Sequence, residues 1–324
     1  MKKVTILAFE STPLSALAFP IDIFNSAGTW WNKIFGESPN PQFEVKTVTL
    51  DGKPVRCNKS IIIEPDAPFY ESPLPDLLIV SPVTDFKSLV FKDKFFLKTL
   101  KKYHGNGVHL ASICTGSFIL ASTGLLDYKK ATTHWGSGKL FSKRFPKVDL
   151  RIDQTVTDEQ TLFCSGGANS GSDLVLYLIK KYCGAEIAYR TARTLVLDPA
   201  RSSQAPYEVF NFDKGHGDIE IASAQQWLEQ NYQRSVMVES MASEVALSRR
   251  TFERRFKKAT GESPIKYLQR IRIESAKLHL ESSNEPFEQI TFNVGYEDPS
   301  TFRKIFQKNT GLSPGSYRDK FKIK

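Results

Sequence analysis

SRRTFERRFKKATGESP, residues 248–264, recurs fifty positions later as DPSTFRKIFQKNTGLSP, residues 298–314. Thr251-Phe252 matches Thr301-Phe302, Phe256 matches Phe306, and Lys258 matches Lys308. Thr260-Gly261 matches Thr310-Gly311, Ser263-Pro264 matches Ser313-Pro314, and Tyr267 matches Tyr317. In each copy two phenylalanines lie four apart, the spacing of one helix face turned to a core. The remaining face is cationic: positions 249–258 hold six basic residues and one acid. Gly261 and Gly311 stand where a helix closes through the left-handed conformation. Ser263-Pro264 and Ser313-Pro314 each put a capping hydroxyl before a proline at the first helical position, and Ser248 caps its own helix in the same way. Two copies of one cation-bearing helical unit imply two copies of one contact. A nucleic-acid duplex offers that, since it presents the same groove once per turn.

Working outward, everything beyond Asp218 is helix-sized. The expected helices are Ile219–Tyr232, Val238–Ala246, Arg249–Ala259, Pro264–Glu281, Phe287–Asn293, Pro299–Lys308 and Pro314–Phe321. Val238–Ala246 and Arg249–Ala259 make one helix-turn-helix. Its outward residues are Arg249, Arg250, Glu253, Arg254, Lys257 and Lys258. Phe287–Asn293, a turn at Gly295 and Pro299–Lys308 make the second, with Ser300, Arg303, Lys304 and Gln307 outward. Such a helix fits the major groove, where Arg pairs bidentately with guanine. The linking helix of about 18 residues spans roughly 27 Å, against roughly 34 Å for a turn of B-DNA. One chain can then read two successive groove segments.

The first two hundred residues differ. Lys3–Phe9, Phe43–Leu50, Leu77–Ser81 and Val108–Ile113 read as buried strands, Ser117–Leu126 and Ser172–Tyr182 as helices. This alternation predicts an α/β domain around a largely parallel sheet. Val148–Thr157 and Thr161–Ser165 read as an edge hairpin, and Ala185–Leu197 as the last helix. Asp198–Gly217, with Pro199, Pro206, Gly215 and Gly217, reads as a linker. The expected division is residues 1–197, linker 198–217 and residues 218–324. The formal net charge of +9 favours a polyanionic partner. No apolar run reaches membrane-spanning length, and Glu10 and Pro13 break the opening apolar run too early for a signal peptide. Cys57, Cys114, Cys164 and Cys183 lack zinc-like spacing, so no metal and no cofactor is expected, and the chain reads as reduced and cytoplasmic.

A second feature is Val108-His109-Leu110-Ala111-Ser112-Ile113-Cys114-Thr115-Gly116-Ser117. An apolar strand ends at Cys114 and a helix begins at once, the pattern of a nucleophile elbow with sulfur in place of oxygen. A thiol at a helix N-terminus is expected to have a lowered pKa. His134 follows twenty residues later, so a Cys/His pair for covalent catalysis is one reading. A small core cysteine and a structural histidine are the other.

Residues 218–324 resemble the DNA-binding domain of the AraC/XylS family of transcription regulators. The resemblance rests on Met241-Ala242, Ser248-Arg249-Arg250-Thr251-Phe252, Arg254, Phe256, Gly261-Glu262-Ser263-Pro264, Ile290, Gly295-Tyr296, Ser300-Thr301-Phe302, Phe306 and Gly311-Leu312-Ser313-Pro314. It implies base contacts by Arg250, Glu253, Arg254, Ser300, Arg303 and Lys304. Thr291 departs from the usual alanine and is expected to be tolerated, with a hydroxyl that can loosen packing. Residues 1–197 resemble the PfpI-type branch of the class I glutamine-amidotransferase-like fold, a flavodoxin-like sandwich. They are most similar to the version fused to AraC-type domains in GlxA-like regulators. Ser112-Ile113-Cys114-Thr115-Gly116, Gly124-Leu125-Leu126, Ala131-Thr132-Thr133-His134-Trp135, Ser165-Gly166-Gly167 and Asp173-Leu174 carry that likeness. It implies that Cys114 is the elbow cysteine and His134 its histidine. Enzymatic relatives place an acid four residues before a proline on the first helix; before Pro20 that position is Ala16, and Glu10 is out of register. The elbow therefore reads as degenerate, not catalytic, and Cys114, Thr115 and His134 as a ligand pocket.

The resulting expectation is a sequence-specific regulator of double-stranded promoter DNA that senses an unidentified small molecule. The resemblance adds a homodimer, with RNA polymerase as a further partner. A cysteine-dependent amidase or hydratase, and an oxidation sensor acting through Cys114, are the alternatives.

Overall fold

A computed structural model describes residues 1–58, 60–86, 88–198, 201 and 203–323. They form two compact units, Met1–Gln204 and Ala205–Lys324.

The first unit carries the strands β1 (Lys2–Leu7), β2 (Phe43–Thr49), β3 (Val55–Cys57), β4 (Ile61–Ile63), β5 (Ala67–Pro68), β6 (Leu77–Val80), β7 (His109–Ile113), β8 (Lys130–Ala131), β9 (Asp149–Leu150), β10 (Val156–Asp158) and β11 (Leu162–Ser165). Its helices are α1 (Ser15–Ser26), α2 (Trp30–Ile34), α3 (Lys94–Gly105), α4 (Ser117–Ser122), α5 (Gly138–Arg144), α6 (Ser170–Cys183) and α7 (Ala185–Thr194). The main sheet has the order β10-β11-β7-β6-β1-β2-β5. All its pairings are parallel except β10 with β11. Strands covered on both faces need apolar residues at every position. Leu77–Val80 is buried throughout for that reason. One face packs Val4 and Ile6 against Leu17 and Phe24 of α1 and Leu178 of α6. The other packs Leu78 and Leu110 against Phe96 of α3 and Phe118 of α4.

The expected edge hairpin is only partly present. Val156–Asp158 pairs antiparallel with Phe163–Ser165. Asp149-Leu150 instead joins Lys130-Ala131 in a separate small sheet. The helix expected to reach Leu126 stops at Ser122. Gly124, at φ +81°, turns the chain two residues later.

The second unit is helical: α8 (Ile219–Asn231), α9 (Val238–Glu244), α10 (Arg249–Thr260), α11 (Pro264–Ser282), α12 (Phe287–Asn293), α13 (Pro299–Thr310) and α14 (Pro314–Phe321). The caps fall where the repeat put them. Ser248, Ser263 and Ser313 each accept a backbone N–H of their helix, and Asp298 caps α13. Gly261 and Gly311 close α10 and α13 in the left-handed region. Each reading helix has its own core. Phe252 and Phe256 pack with Leu228, Met241 and Tyr267. Phe302 and Phe306 pack with Leu280, Ile290 and Tyr317. The spine α11 contributes its first half to one core and its second half to the other. Thr291 is fully buried and its hydroxyl donates to the Phe287 carbonyl at 2.8 Å, so the polar group is satisfied within α12.

The stretch read as a linker is not free chain. Pro199, Ala200 and Ser202 lie outside the described residues. The division between units falls inside it, after Gln204. Arg201 donates to Asp173 of α6 at 2.9 Å and Phe210 is buried in the first helix-turn-helix core. Its proline, glycine and polar content matches a linker, but its anchors are tertiary and leave no local pattern.

Candidate functional site

The carboxyl end of β7 delivers Cys114 to the rim of the parallel sheet, where α/β folds place their ligand sites. Cys114 has φ +54°, a region non-glycine residues avoid. The turn is clamped around it. Ser117 Oγ and Thr133 Oγ1 both donate to the Cys114 carbonyl, at 2.9 and 3.2 Å. A Cβ on Gly116 would lie 2.4 Å from the Val80 carbonyl oxygen, so only glycine fits after the elbow. Thr115 donates its hydroxyl to the Val83 carbonyl at 2.8 Å. That hydroxyl is thus already engaged within the fold.

The expected activation of the thiol does not occur. Cys114 is 9 % exposed. Burial pushes its pKa up to about 11, and hydrogen bonds with Thr115 only partly oppose it. A helix terminus lowers a thiol pKa when solvent and cations help; here desolvation wins and the sulfur stays protonated at neutral pH. His134 is half-buried, and burial lowers its pKa. Its Nδ1 accepts the Gly136 N–H at 3.0 Å, which leaves the proton on Nε2. Among the described contacts no hydrogen bond joins Cys114 to His134. Ala16 is fully buried. The exposed Glu10 accepts the Arg56 N–H at 3.0 Å, and its charge acts on Cys57.

Gln204 was invisible to sequence reading. Its buried Nε2 lies 2.8 Å from the Thr133 carbonyl and 2.6 Å from that of Ile152. Its side chain fills the space a Cβ on Gly166 would need. It therefore fastens the His134 loop. A separate cleft of about 520 Å³ lies beside β10, lined by Val156, Asp173, Leu176, Tyr177 and Ala188 among others, and holds none of Cys114, Thr115 or His134.

In the second unit α10 presents Arg249, Arg250, Arg254, Lys257 and Lys258 to solvent, with Glu253 partly exposed. On α13 Ser300, Arg303, Lys304, Gln307 and Lys308 are exposed. The cations are not equivalent. Among the described residues Arg250, Arg254, Lys257 and Lys304 form no ion pair. Arg249 is tied to Glu239 at 2.5 Å and to Glu253 at 3.3 Å. Arg303 is tied to Glu288 at 3.0 Å and lies over the Phe287 ring. Arg255 turns away to Asp218 and Glu220 and anchors α10 to the start of α8. The acids Glu239 and Glu288 do not follow the fifty-residue repeat. Helices α9 and α12 start forty-nine residues apart, while α10 and α13 start fifty apart. At the shorter offset Glu239 and Glu288 are the same position, and each ties a first helix to its reading helix.

Comparison with known proteins places both units. A model of the DJ-1/PfpI family matches residues 2–181, and one of a helix-turn-helix domain matches residues 241–320. The HTH-type transcriptional regulator CdhR of Pseudomonas aeruginosa is 26% identical over 272 residues, 84% of this chain and 80% of the relative. The isonitrile hydratase of Pseudomonas putida is 28% identical over 161 residues, 49% of this chain and 68% of that enzyme. The crystal structure of Drosophila melanogaster DJ-1beta shares the first unit's fold, with a TM-score of 0.51 at 17% identity, covering 61% of this chain and 98% of that one. Since the first match spans more than half of its length, the chain belongs to the DJ-1/PfpI family, with an AraC-type helix-turn-helix domain appended.

Proposed function

We propose that this chain reads promoter DNA through α10 and α13 and that its DJ-1/PfpI unit senses a small molecule at the Cys114 elbow. Its family composition and its relatives make it a helix-turn-helix transcription regulator. One observation supports the DNA reading above the others. Two cores of the same design each hold a capped helix whose outer face carries exposed cations, several of which form no ion pair among the described residues. Arg250, Arg254 and Lys304 are the residues assigned to bases or adjacent phosphates, Lys257 to phosphate, and Ser300 to a polar base edge. Arg249, Glu253 and Arg303 first hold their own helices and reach DNA only by exchanging partners.

The sensor reading draws on the strained elbow, since strain persists where surrounding structure holds it for a purpose. A protonated thiol, a neutral imidazole and a buried alanine where enzymes carry an acid support binding over turnover. An effector acts through unequal affinity for two states of the protein. Among the described residues no helix is long and apolar enough to cross a membrane. A homodimer and contact with RNA polymerase belong to the same proposal.

The test is binding of the full chain to duplexes selected from a random pool, measured across a salt series. Sequence-specific binding that weakens steeply with salt is expected. No sequence preference at any salt would refute the reading. Turnover of an isonitrile or amide that vanishes in Cys114→Ser would refute the sensor assignment.

A further inference from the structure

Residues 205–212 contain only one short turn, Ala205–Tyr207, and otherwise no regular element. Their side chains nevertheless bind both halves of the second unit. Phe210 is buried in the first core, and the Phe210 and Phe212 rings lie 5.8 and 5.4 Å from Tyr267. At the other end Tyr207 lies 5.4 Å from Phe321, which packs against the second core. In between, the Glu208 carbonyl accepts from Lys277 Nζ at 2.6 Å, and the Arg270 guanidinium covers Phe210 at 4.7 Å. Lys277 is buried and also bonds Glu274 at 2.8 Å. The segment thus lids a largely buried ion pair on the spine helix.

The lengths agree. Arg270, Glu274, Lys277 and Glu281 form one stripe along α11, since ~100° per residue returns them to one face. From 270 to 281 that stripe rises about 17 Å. Five residue steps of extended chain, Tyr207 to Phe212, cover at most about 17 Å. Arg272 points the opposite way, about 200° round from Arg270. There it donates to the Tyr232 carbonyl at 2.8 Å and to the Arg234 carbonyl at 2.8 Å, and it lies over the Tyr296 ring. The spine is therefore clamped on two opposite sides.

We propose that residues 205–212 are a brace that fixes the separation and rotation of α10 relative to α13, and so sets the spacing of the two groove segments the protein accepts. The brace rests on the DNA reading above. It begins one residue after Gln204, the anchor of the His134 loop.

The experiment uses the full chain and two variants, Phe210→Ala and Tyr207→Ala. Tyr207 is 36 % exposed and belongs to neither core, so its variant keeps both cores intact. One or two base pairs are inserted between the contacted segments of a duplex selected by the wild-type chain. We expect each insertion to weaken wild-type binding about tenfold or more, the size of one lost base contact, and the variants' binding by less than about threefold. In parallel, nitroxides at Lys258→Cys and Lys308→Cys, in a Cys183→Ser background, report the separation of the reading helices. A narrow distribution that broadens or shifts in both variants supports the brace. Unchanged distributions in both variants, or undiminished insertion penalties, overturn it. If the wild-type chain selects no duplex, the DNA reading fails, and the label distances still decide the brace.

Discussion

Replacing Arg254 and Arg249 separately by alanine should alter the salt dependence of DNA binding by unequal amounts. Both are outward cations on the exposed face of α10. The structure separates them. Arg249 is flanked by the Glu239 and Glu253 carboxylates, which raise its pKa above the usual value. Arg254 has no such partner among the described residues. Each cation that meets a phosphate displaces a condensed counterion, and log K falls with log salt by about 0.9 per contact. Arg250, Arg254, Lys257, Lys258, Lys304 and Lys308 together set an upper limit near a slope of about −5. Arg254→Ala should reduce that steepness by about 0.9, or about 3.5-fold in affinity across a fourfold salt range. Arg249 reaches a phosphate only by leaving two carboxylates, which then face the polyanion. Its alanine variant should change the slope by less than about half as much. In a Glu239→Gln, Glu253→Gln background the two arginines should become equivalent. Fluorescence anisotropy with a labelled selected duplex, from low to moderate potassium chloride, measures each slope. Equal changes for Arg249→Ala and Arg254→Ala in the otherwise wild-type chain would show that internal pairing does not rank these cations.

Three further outcomes follow from the geometry. Gly261 and Gly295 have almost the same φ, +83° and +87°, but only Gly295 faces backbone, where an added Cβ would lie 2.7 Å from the Gln233 carbonyl oxygen. Gly261→Ala should cost about 1 kcal/mol and Gly295→Ala about 3 kcal/mol; equal losses in thermal melts would remove the steric argument. Burial raises the Cys114 pKa from 9.0 to about 11, so the folded state holds the thiol proton more tightly than the unfolded chain. The stability this contributes is intact below pH 9 and lost as pH climbs toward 11; urea unfolding should therefore fall more steeply over that window in wild type than in Cys114→Ser, and parallel curves would contradict the burial. Gln204→Leu removes the donor that holds the Thr133 and Ile152 carbonyls, leaving buried acceptors unmet, and should destabilise the first unit by about 1–3 kcal/mol; an unchanged melting temperature would show the loop is held by other contacts.

Much of the architecture was legible because it is written in local periodicity. The continuous apolar run Leu77–Val80 identified β6, and stretches rich in apolar and β-branched residues identified β1, β2 and β7, as a largely parallel sheet covered on both faces favours. The paired phenylalanines and the Ser-Pro and glycine punctuation located α10, α11 and α13, because caps act within one turn of chain. The elbow was recognisable as a strand meeting a helix at Cys114, although its strain, φ +54°, was not.

From its order of residues alone the chain was determined to be an α/β unit followed by a duplicated helical one, with cations on each reading helix. Tertiary structure alone decided what those residues do in company. It set the protonation of Cys114, because desolvation depends on what surrounds a thiol rather than on what precedes it. It decided which arginines are already paired, because Glu239 and Glu288 come into register at an offset the repeat does not follow. It also turned residues 205–212 from an apparent connector into part of the DNA-reading unit, since Tyr207, Phe210 and Phe212 meet partners from Tyr267 to Phe321. Contacts across so many residues have no signature in local spacing.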